Sequence, residues 1–115
     1  MAALRVDRKF YRANLVFPVE GTGDLIVFES SVHKEISGRE VFLFGADGTV
    51  IWQINPETGT TENRAHDFDR SVETTEPFVN VWEAYGEYYA SRINGDSFRP
   101  DLVSGLATHS GQNMN

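Results

Sequence analysis

Residues 41–54 carry the pattern that most restricts the fold, two short apolar runs separated by a tight-turn sequence. The runs lie at 41–44 and 50–54, and the intervening GADGT contains Asp47-Gly48. Glycine accepts the positive φ angle that tight turns need, so Asp-Gly between apolar runs is a strong hairpin signal. The sequence therefore predicts an antiparallel hairpin here. The following NPETG predicts a second turn, because proline presets φ and glycine closes the reversal.

The rest of the first half extends this hairpin into a larger sheet. Residues 9–19 and 25–28 are apolar segments separated by the turn residues EGTGD, which predicts another hairpin. Residues 60–68 are predicted to return as a more polar strand at a sheet edge. We therefore expect an antiparallel β-meander of four or five strands.

The second half has a different apolar period. Between residues 77 and 93 the apolar residues recur at helical spacing, at Phe78, Val81, Trp82, Tyr85, Tyr88, Tyr89 and Ile93. Pro77 is tolerated in a first helical turn, and Gly95 suits a C-terminal cap. The pattern predicts one amphipathic C-terminal helix.

Strands followed by a helix indicate an α+β domain in which the helix packs on one face of the meander. At 115 residues the chain has the length of one domain, which we place at residues 1–103. Residues 104–115 are expected to form a flexible C-terminal tail. No segment approaches the ~20 apolar residues of a membrane span, the start lacks the apolar run of a signal peptide, and a cytoplasmic location is expected.

The charge of the chain is acidic and uneven. The formal net charge is −7; four cations against one anion give the first thirteen residues +3, so the remainder carries −10. Phosphate backbones are bound by lysine and arginine, so we expect no direct nucleic-acid binding. No membrane binding is expected either, because the chain lacks an apolar span. An acidic surface would suit a basic partner protein by electrostatic steering, while the alternative is that the charge only keeps the domain soluble.

The segment ADGTVIWQINPETG resembles one blade segment of the quinoprotein-type propellers, in which strands with a tryptophan and an Asp-Gly or Thr-Gly turn recur around a ring. The resemblance covers about twenty residues and occurs once. A propeller needs at least four blades of four strands, and this chain has room for about two. The resemblance therefore implies no function here.

Catalytic and metal-binding patterns are weak. The chain has no cysteine, which excludes thiolate chemistry, and it lacks a G-x-S-x-G nucleophile elbow. His33 and Glu35 are two residues apart, so in a strand they would share a face, and His66 could complete a three-ligand metal site for hydrolysis. Their spacing matches no established ligand pattern. We therefore predict no catalytic residue and no cofactor, and read these three residues as solvated loop and edge-strand residues, with the metal site as the alternative.

The leading hypothesis is a non-enzymatic, acidic protein-binding domain, of inhibitor, immunity or adaptor type, that occludes the surface of a partner protein. Aromatic anchors would supply affinity and carboxylates would steer a basic partner. The residues predicted to bind the partner are Trp52, Glu83, Tyr85, Glu87 and Tyr88. Three alternatives stay open: a small-ligand-binding or metal-dependent enzyme domain with a pocket between helix and sheet, a structural subunit of a larger assembly, and a homodimer through the helix face.

Overall fold

The computed structural model describes residues 11–56, 76–93 and 95–112, with side chains described as far as residue 110. Within these ranges the chain forms eight β-strands and one 3₁₀ turn, Lys34–Ile36. The strands are arranged in two four-stranded antiparallel sheets, each in chain order. The first sheet contains β1 (Ala13–Val19), β2 (Gly23–Phe28), β3 (Val41–Gly45) and β4 (Val50–Gln53); the second contains β5 (Phe78–Ala84), β6 (Glu87–Arg92), β7 (Asp96–Pro100) and β8 (Ala107–Gln112).

The first sheet follows the sequence pattern. Strands β1 to β4 overlap the four predicted segments, although β2 begins two residues earlier and β3 ends one residue later than predicted. The β3–β4 turn contains Asp47-Gly48, where Gly48 has a φ of +87°. The Asp47 carboxylate accepts hydrogen bonds from the Thr49 backbone nitrogen at 3.1 Å and from the Thr49 hydroxyl at 2.7 Å. This turn therefore satisfies the local preferences of its own residues. The predicted strand at residues 60–68 lies outside the described residues.

The predicted α+β class and its C-terminal helix are wrong. Residues 78–92 form the β5–β6 hairpin, and the rings of the cross-strand pair Trp82 and Tyr89 stack with centroids 5.6 Å apart. The segment is dense in aromatic and β-branched residues, which favour strands, and Gly86 disfavours a helix by about 1 kcal/mol relative to alanine. The described part of the chain is all β. None of it is a helix long and apolar enough to cross a membrane.

The main core lies between the two sheets. The first sheet contributes buried side chains that include Leu25, Leu43 and Trp52, and the second contributes Phe78 and Phe98. A second apolar cluster covers the opposite face of the first sheet, formed by Tyr11, Ile26, Phe28, Ile36, Phe42 and Phe44. The central strands β2 and β3 are thus buried on both faces, which explains why their sequences are continuous apolar runs.

A buried carboxylate joins the two sheets. Glu40 precedes β3 and is 0% exposed. Its oxygens accept hydrogen bonds from the Ser30 hydroxyl at 2.6 Å, from the Gly38 nitrogen at 3.0 Å and from the Phe78 nitrogen at 2.9 Å. Because Phe78 begins β5, Glu40 connects the loop before β3 directly to the start of the second sheet.

Arg92 lies beside this carboxylate, at the end of β6. Its guanidinium carbon is 4.9 Å from the centroid of the Phe78 ring and 5.3 Å from that of Phe98. Burial lowers the pKa of Arg92, while the charges of Glu40, then Asp96 and Glu76, oppose that shift. A buried cation is tolerated here because carboxylates and aromatic faces surround it.

Part of the segment expected to be a flexible tail, residues 104–115, is the strand β8. It pairs with β7, and Ala107 and His109 are buried. The His109 Nε2 atom lies 3.3 Å from Asp96 Oδ1. Residues 113–115 lie outside the described ranges.

Candidate partner-binding surface

The turn between β5 and β6 holds an aromatic side chain in an uncommon backbone conformation. Tyr85 has a φ of +55° and Gly86 a φ of +81°, as in the type I′ turns that usually carry Asn-Gly. The left-handed conformation costs a non-glycine residue about 1–2 kcal/mol. The Tyr85 side chain is 103% exposed and makes no hydrogen bond or ring contact in the described part of the chain. Packing therefore does not offset this strain.

A second projecting element, the loop at residues 101–106, flanks this turn. The buried Trp52 contacts the backbone of the loop, and its indole nitrogen donates to the Leu102 carbonyl at 2.8 Å. Gly105 lies so close to the indole that a Cβ there would be 2.7 Å from the nearest ring atom. The Asp101 carboxylate accepts from the Val103 nitrogen at 2.7 Å. These contacts fix the conformation of the loop.

The loop is also attached to the end of the first sheet. The Asn55 nitrogen donates to the Gly105 carbonyl at 2.9 Å, and the Ala107 nitrogen donates to the Asn55 carbonyl at 3.0 Å. Side chains on the outside of the loop are nevertheless solvent-exposed, since Leu102, Val103 and Leu106 are 36%, 85% and 42% exposed. The loop thus presents apolar side chains from a fixed backbone.

An open cavity of about 490 Å³ lies between the turn and the loop. Gly86, Glu87 and Tyr88 line it from the hairpin, and its other walls include Arg99 and Asp101. Charged residues and the exposed apolar residues Leu102 and Leu106 thus line the cavity together. We call this region the Tyr85 surface and define it as Tyr85, Glu87, Tyr88, Leu102, Val103 and Leu106.

The structure brings most of the predicted partner-binding residues to this region. Glu87 and Tyr88 line the cavity, Tyr85 stands beside it, and Glu83 is the cross-strand partner of Tyr88. Trp52 is different, because it is only 6% exposed and supports the loop from within the core. That these residues bind a partner stays a prediction. The pocket expected between helix and sheet has no counterpart in the described ranges, because they contain no such helix.

The sequence patterns did not identify the loop as part of a site. Its residues DLVSGL place two apolar side chains, Leu102 and Val103, inside a run of turn formers. Apolar residues in a turn have no core to enter unless the loop folds inward, so this combination is a signal for an exposed apolar contact. The contact between Gly105 and Trp52 joins residues distant in the sequence, and no local pattern predicts it.

The candidate metal ligands are only partly brought together. The His33 Nδ1 atom lies 3.5 Å from Glu35 Oε2, and the same oxygen accepts from the Tyr11 hydroxyl at 3.0 Å. These residues lie at the 3₁₀ turn and in the chain before β1, not on one strand. His66, the third candidate, is outside the described residues. Across the described ranges, no group of three or more His, Cys, Asp or Glu side chains could hold a metal ion.

The pKa values of Tyr11 and Glu35, which contact each other, are shifted in opposite directions. Burial first, and then the hydrogen bond and charge of Glu35, raise the pKa of Tyr11. Hydrogen bonds from its own backbone and then from Tyr11 lower the pKa of Glu35. The pair therefore stays as a neutral phenol and a carboxylate at neutral pH. This contact anchors the chain before β1 over the second apolar cluster.

The described strands place this chain among all-β proteins built from two four-stranded meanders. No protein-family model matches the sequence, and neither the curated proteins nor the solved structures contain a significant match. The function is therefore inferred from the residues of this chain alone.

Proposed function

We propose that this chain is a non-enzymatic protein-binding domain that docks on a partner protein through the Tyr85 surface. The observation that carries the proposal is Tyr85 itself, a fully exposed aromatic held at positive φ where asparagine or glycine would be more stable. Strained residues cluster at functional sites, and tyrosine is enriched among the residues that dominate binding energy. The strain is understandable if the exposed ring contributes to binding.

The loop beside Tyr85 supports the same function. Exposed apolar side chains that lie together mark interaction sites on soluble proteins. Leu102 and Val103 project from a backbone that Trp52 and Asp101 already hold, so little conformational entropy is lost when a partner covers them. This preorganisation favours tight contact over a small area.

Charge at this surface favours a basic partner. Glu83, Glu87 and Asp101 are exposed, and Arg99 is the half-buried cation among the cavity residues. The net charge of the whole chain, −7, has the same sign. Acidic groups around an apolar contact raise the association rate of a basic partner and disfavour acidic competitors.

The test is a comparison of three immobilised proteins exposed to a host extract: the wild type, Tyr85→Asn and Val32→Ser. Asn-Gly suits a type I′ turn, so Tyr85→Asn keeps the hairpin while removing the ring. Val32 serves as the matched control, because it is another exposed apolar residue (77% exposed) and lies between β2 and β3, far from Tyr85 in the sequence.

We expect the wild type and Val32→Ser to retain the same protein from the extract in equal amounts. That protein should bind Tyr85→Asn about 30-fold more weakly, as for loss of a hot-spot residue worth at least 2 kcal/mol. The affinity of the captured protein is then measured by titration calorimetry. Equal retention by all three variants would place the docking surface elsewhere on the molecule.

A further inference from the structure

The peptide unit between Leu102 and Val103 joins two apolar side chains that project from the loop at residues 101–106. Its carbonyl, that of Leu102, accepts a hydrogen bond from the Trp52 indole nitrogen at 2.8 Å. Its nitrogen, that of Val103, donates to Asp101 Oδ1 at 2.7 Å. A peptide unit is planar, so holding both of its polar groups fixes its orientation. The directions of the two apolar side chains therefore depend on these two hydrogen bonds.

The two hydrogen bonds come from different parts of the molecule. Asp101 belongs to the loop itself, and its backbone carbonyl also accepts from the Gly105 nitrogen at 2.7 Å. These contacts give the loop its internal shape. Trp52 belongs to β4 in the first sheet and is only 6% exposed. Its indole therefore holds the loop against the rest of the fold, which Asp101 cannot do.

Gly105 shows how closely the loop approaches the same indole. A Cβ at this position would lie 2.7, 2.8 and 2.9 Å from three atoms of the Trp52 ring, distances at which the ring or the loop must move. The φ of Gly105 is +79°, which independently favours glycine. The close approach and the hydrogen bond to Leu102 together restrict the loop to a narrow range of positions.

We propose that Trp52 is a positioning residue for the Tyr85 surface: from within the core, it holds Leu102 and Val103 where a partner bound at Tyr85 can cover them. This inference rests on the proposed function and adds a residue that acts through the loop. Among the described residues no other donor bonds the Leu102 carbonyl, so loss of the indole N–H releases the peptide unit. The exposed side chains then sample several directions, and only a fraction of the molecules is ready to bind.

The decisive variant carries benzothienylalanine in place of Trp52, introduced by chemical synthesis of the full chain. This residue keeps the size and shape of tryptophan, and a sulfur atom replaces the indole N–H. Trp52→Phe is its genetically encoded companion. Val27→Ala is the control, because Val27 is buried in the same core and its apolar side chain cannot donate to the loop.

The first measurement is amide hydrogen exchange of the free protein, followed by NMR. The Gly105 amide is bonded within the loop, and the Asn55 amide donates to the loop. Both should exchange about 10-fold faster in the two Trp52 variants, since a hydrogen bond that holds the loop is lost. In the benzothienylalanine variant the Phe28 amide of β2 should keep its rate. Val27→Ala should give the opposite pattern, because it weakens the core and leaves the loop contacts in place.

The second measurement is the kinetics of binding to the protein that the wild type captures. Loss of preorganisation lowers the association rate, because fewer molecules have the loop in place, whereas loss of a contact raises the dissociation rate. Both Trp52 variants should associate about 5-fold more slowly and dissociate within about 2-fold of the wild-type rate. Tyr85→Asn should instead dissociate faster. A residue that only stabilises the fold would change neither rate once the variant is folded.

The inference and the proposed function fail in different ways. If the benzothienylalanine variant exchanges its loop amides at the wild-type rate, or associates at the wild-type rate, the positioning role is wrong. Neither result affects the Tyr85 anchor, which Tyr85→Asn tests by itself. If Tyr85→Asn binds like the wild type, the proposed function is wrong, and the role of Trp52 in binding is wrong with it even where the loop amides exchange faster.

Discussion

The two hairpins β3–β4 and β5–β6 differ in how well their turns suit their own residues. At the first, Asp47-Gly48 follows local preference and the Asp47 carboxylate is bonded within the turn. At the second, Tyr85 occupies a left-handed position with its ring in solvent. The first hairpin is therefore explained by folding alone, whereas the second contains a local cost that folding does not explain. That difference locates the proposed function on the second hairpin.

The strands of the two hairpins show the same contrast. Leu43 on β3 pairs with Trp52 on β4, and both belong to the core between the sheets. On β5, Val79 is 43% exposed, and on β6 Tyr88 is half-buried at the cavity. Strand β3 is enclosed on both faces, whereas the second hairpin packs one face, with Val81 and Ala90, into the core and leaves Val79 and Tyr85 exposed.

The largest expected effect is the loss of a core side chain from the first hairpin. Leu43 is 0% exposed, so Leu43→Ala should lower the free energy of unfolding by about 2–5 kcal/mol through lost burial and the cavity left behind. Val79→Ala on the second hairpin should change it by less than about 0.5 kcal/mol. Urea unfolding of both variants measures the difference. Similar losses at the two positions would contradict the contrast between the enclosed strand β3 and the exposed face of β5.

Smaller effects are expected at the two turns, and they have opposite signs: one substitution stabilises the fold and the other destabilises it. Tyr85→Asn should raise the free energy of unfolding by about 1 kcal/mol, because asparagine tolerates the left-handed conformation better than tyrosine. Gly48→Ala should lower it by about 1 kcal/mol, since its φ is +87° and a Cβ there meets nothing within 4 Å, which leaves strain as the cause. Thermal unfolding of the two variants checks the signs. If Tyr85→Asn is destabilising, the ring has a structural role and the argument for binding loses its basis.

The smallest effect concerns acid stability at the first turn. Hydrogen bonds from the Thr49 hydroxyl and then from its backbone nitrogen lower the pKa of Asp47 below its usual 3.8. A lowered pKa in the folded state means that the carboxylate stabilises the fold above pH 3.8 and that this contribution is lost as the pH falls through the folded value. NMR titration of the Asp47 carboxyl carbon should show this low pKa. In the Asp47→Asn variant, the urea concentration at the unfolding midpoint should fall less steeply as the pH is lowered from about 5 to 2. A carboxyl that titrates at 3.8 or above would contradict the turn geometry.

The sequence predicts the first sheet because its signals are local. Asp47-Gly48 and the apolar runs beside it specify turn and strands without reference to the rest of the chain. Residues 77–93 carry no such turn signal, since Tyr-Gly is not a preferred pair at a type I′ turn, and their apolar spacing fits a helix equally well. Only the aromatic and β-branched composition favoured strands.

The candidate surface was predictable in part for a related reason. Tyr85, Glu87 and Tyr88 are neighbours in sequence, so they stay close together in a hairpin as they would on a helix. Their cavity is completed by the loop at 101–106, whose position depends on the contact between Gly105 and Trp52. Such a contact between distant segments depends on how the sheets pack, and periodicity contains no information about it.

Trp52 has one further consequence, which concerns when the surface exists at all. It belongs to the core of the first sheet, yet its indole nitrogen holds the Leu102 carbonyl of a loop in the second. The Tyr85 surface therefore forms only after the two meanders have docked. A partner that selects this loop recognises the assembled fold and rejects partly folded chains, and by mass action its binding strengthens the docking of the two sheets.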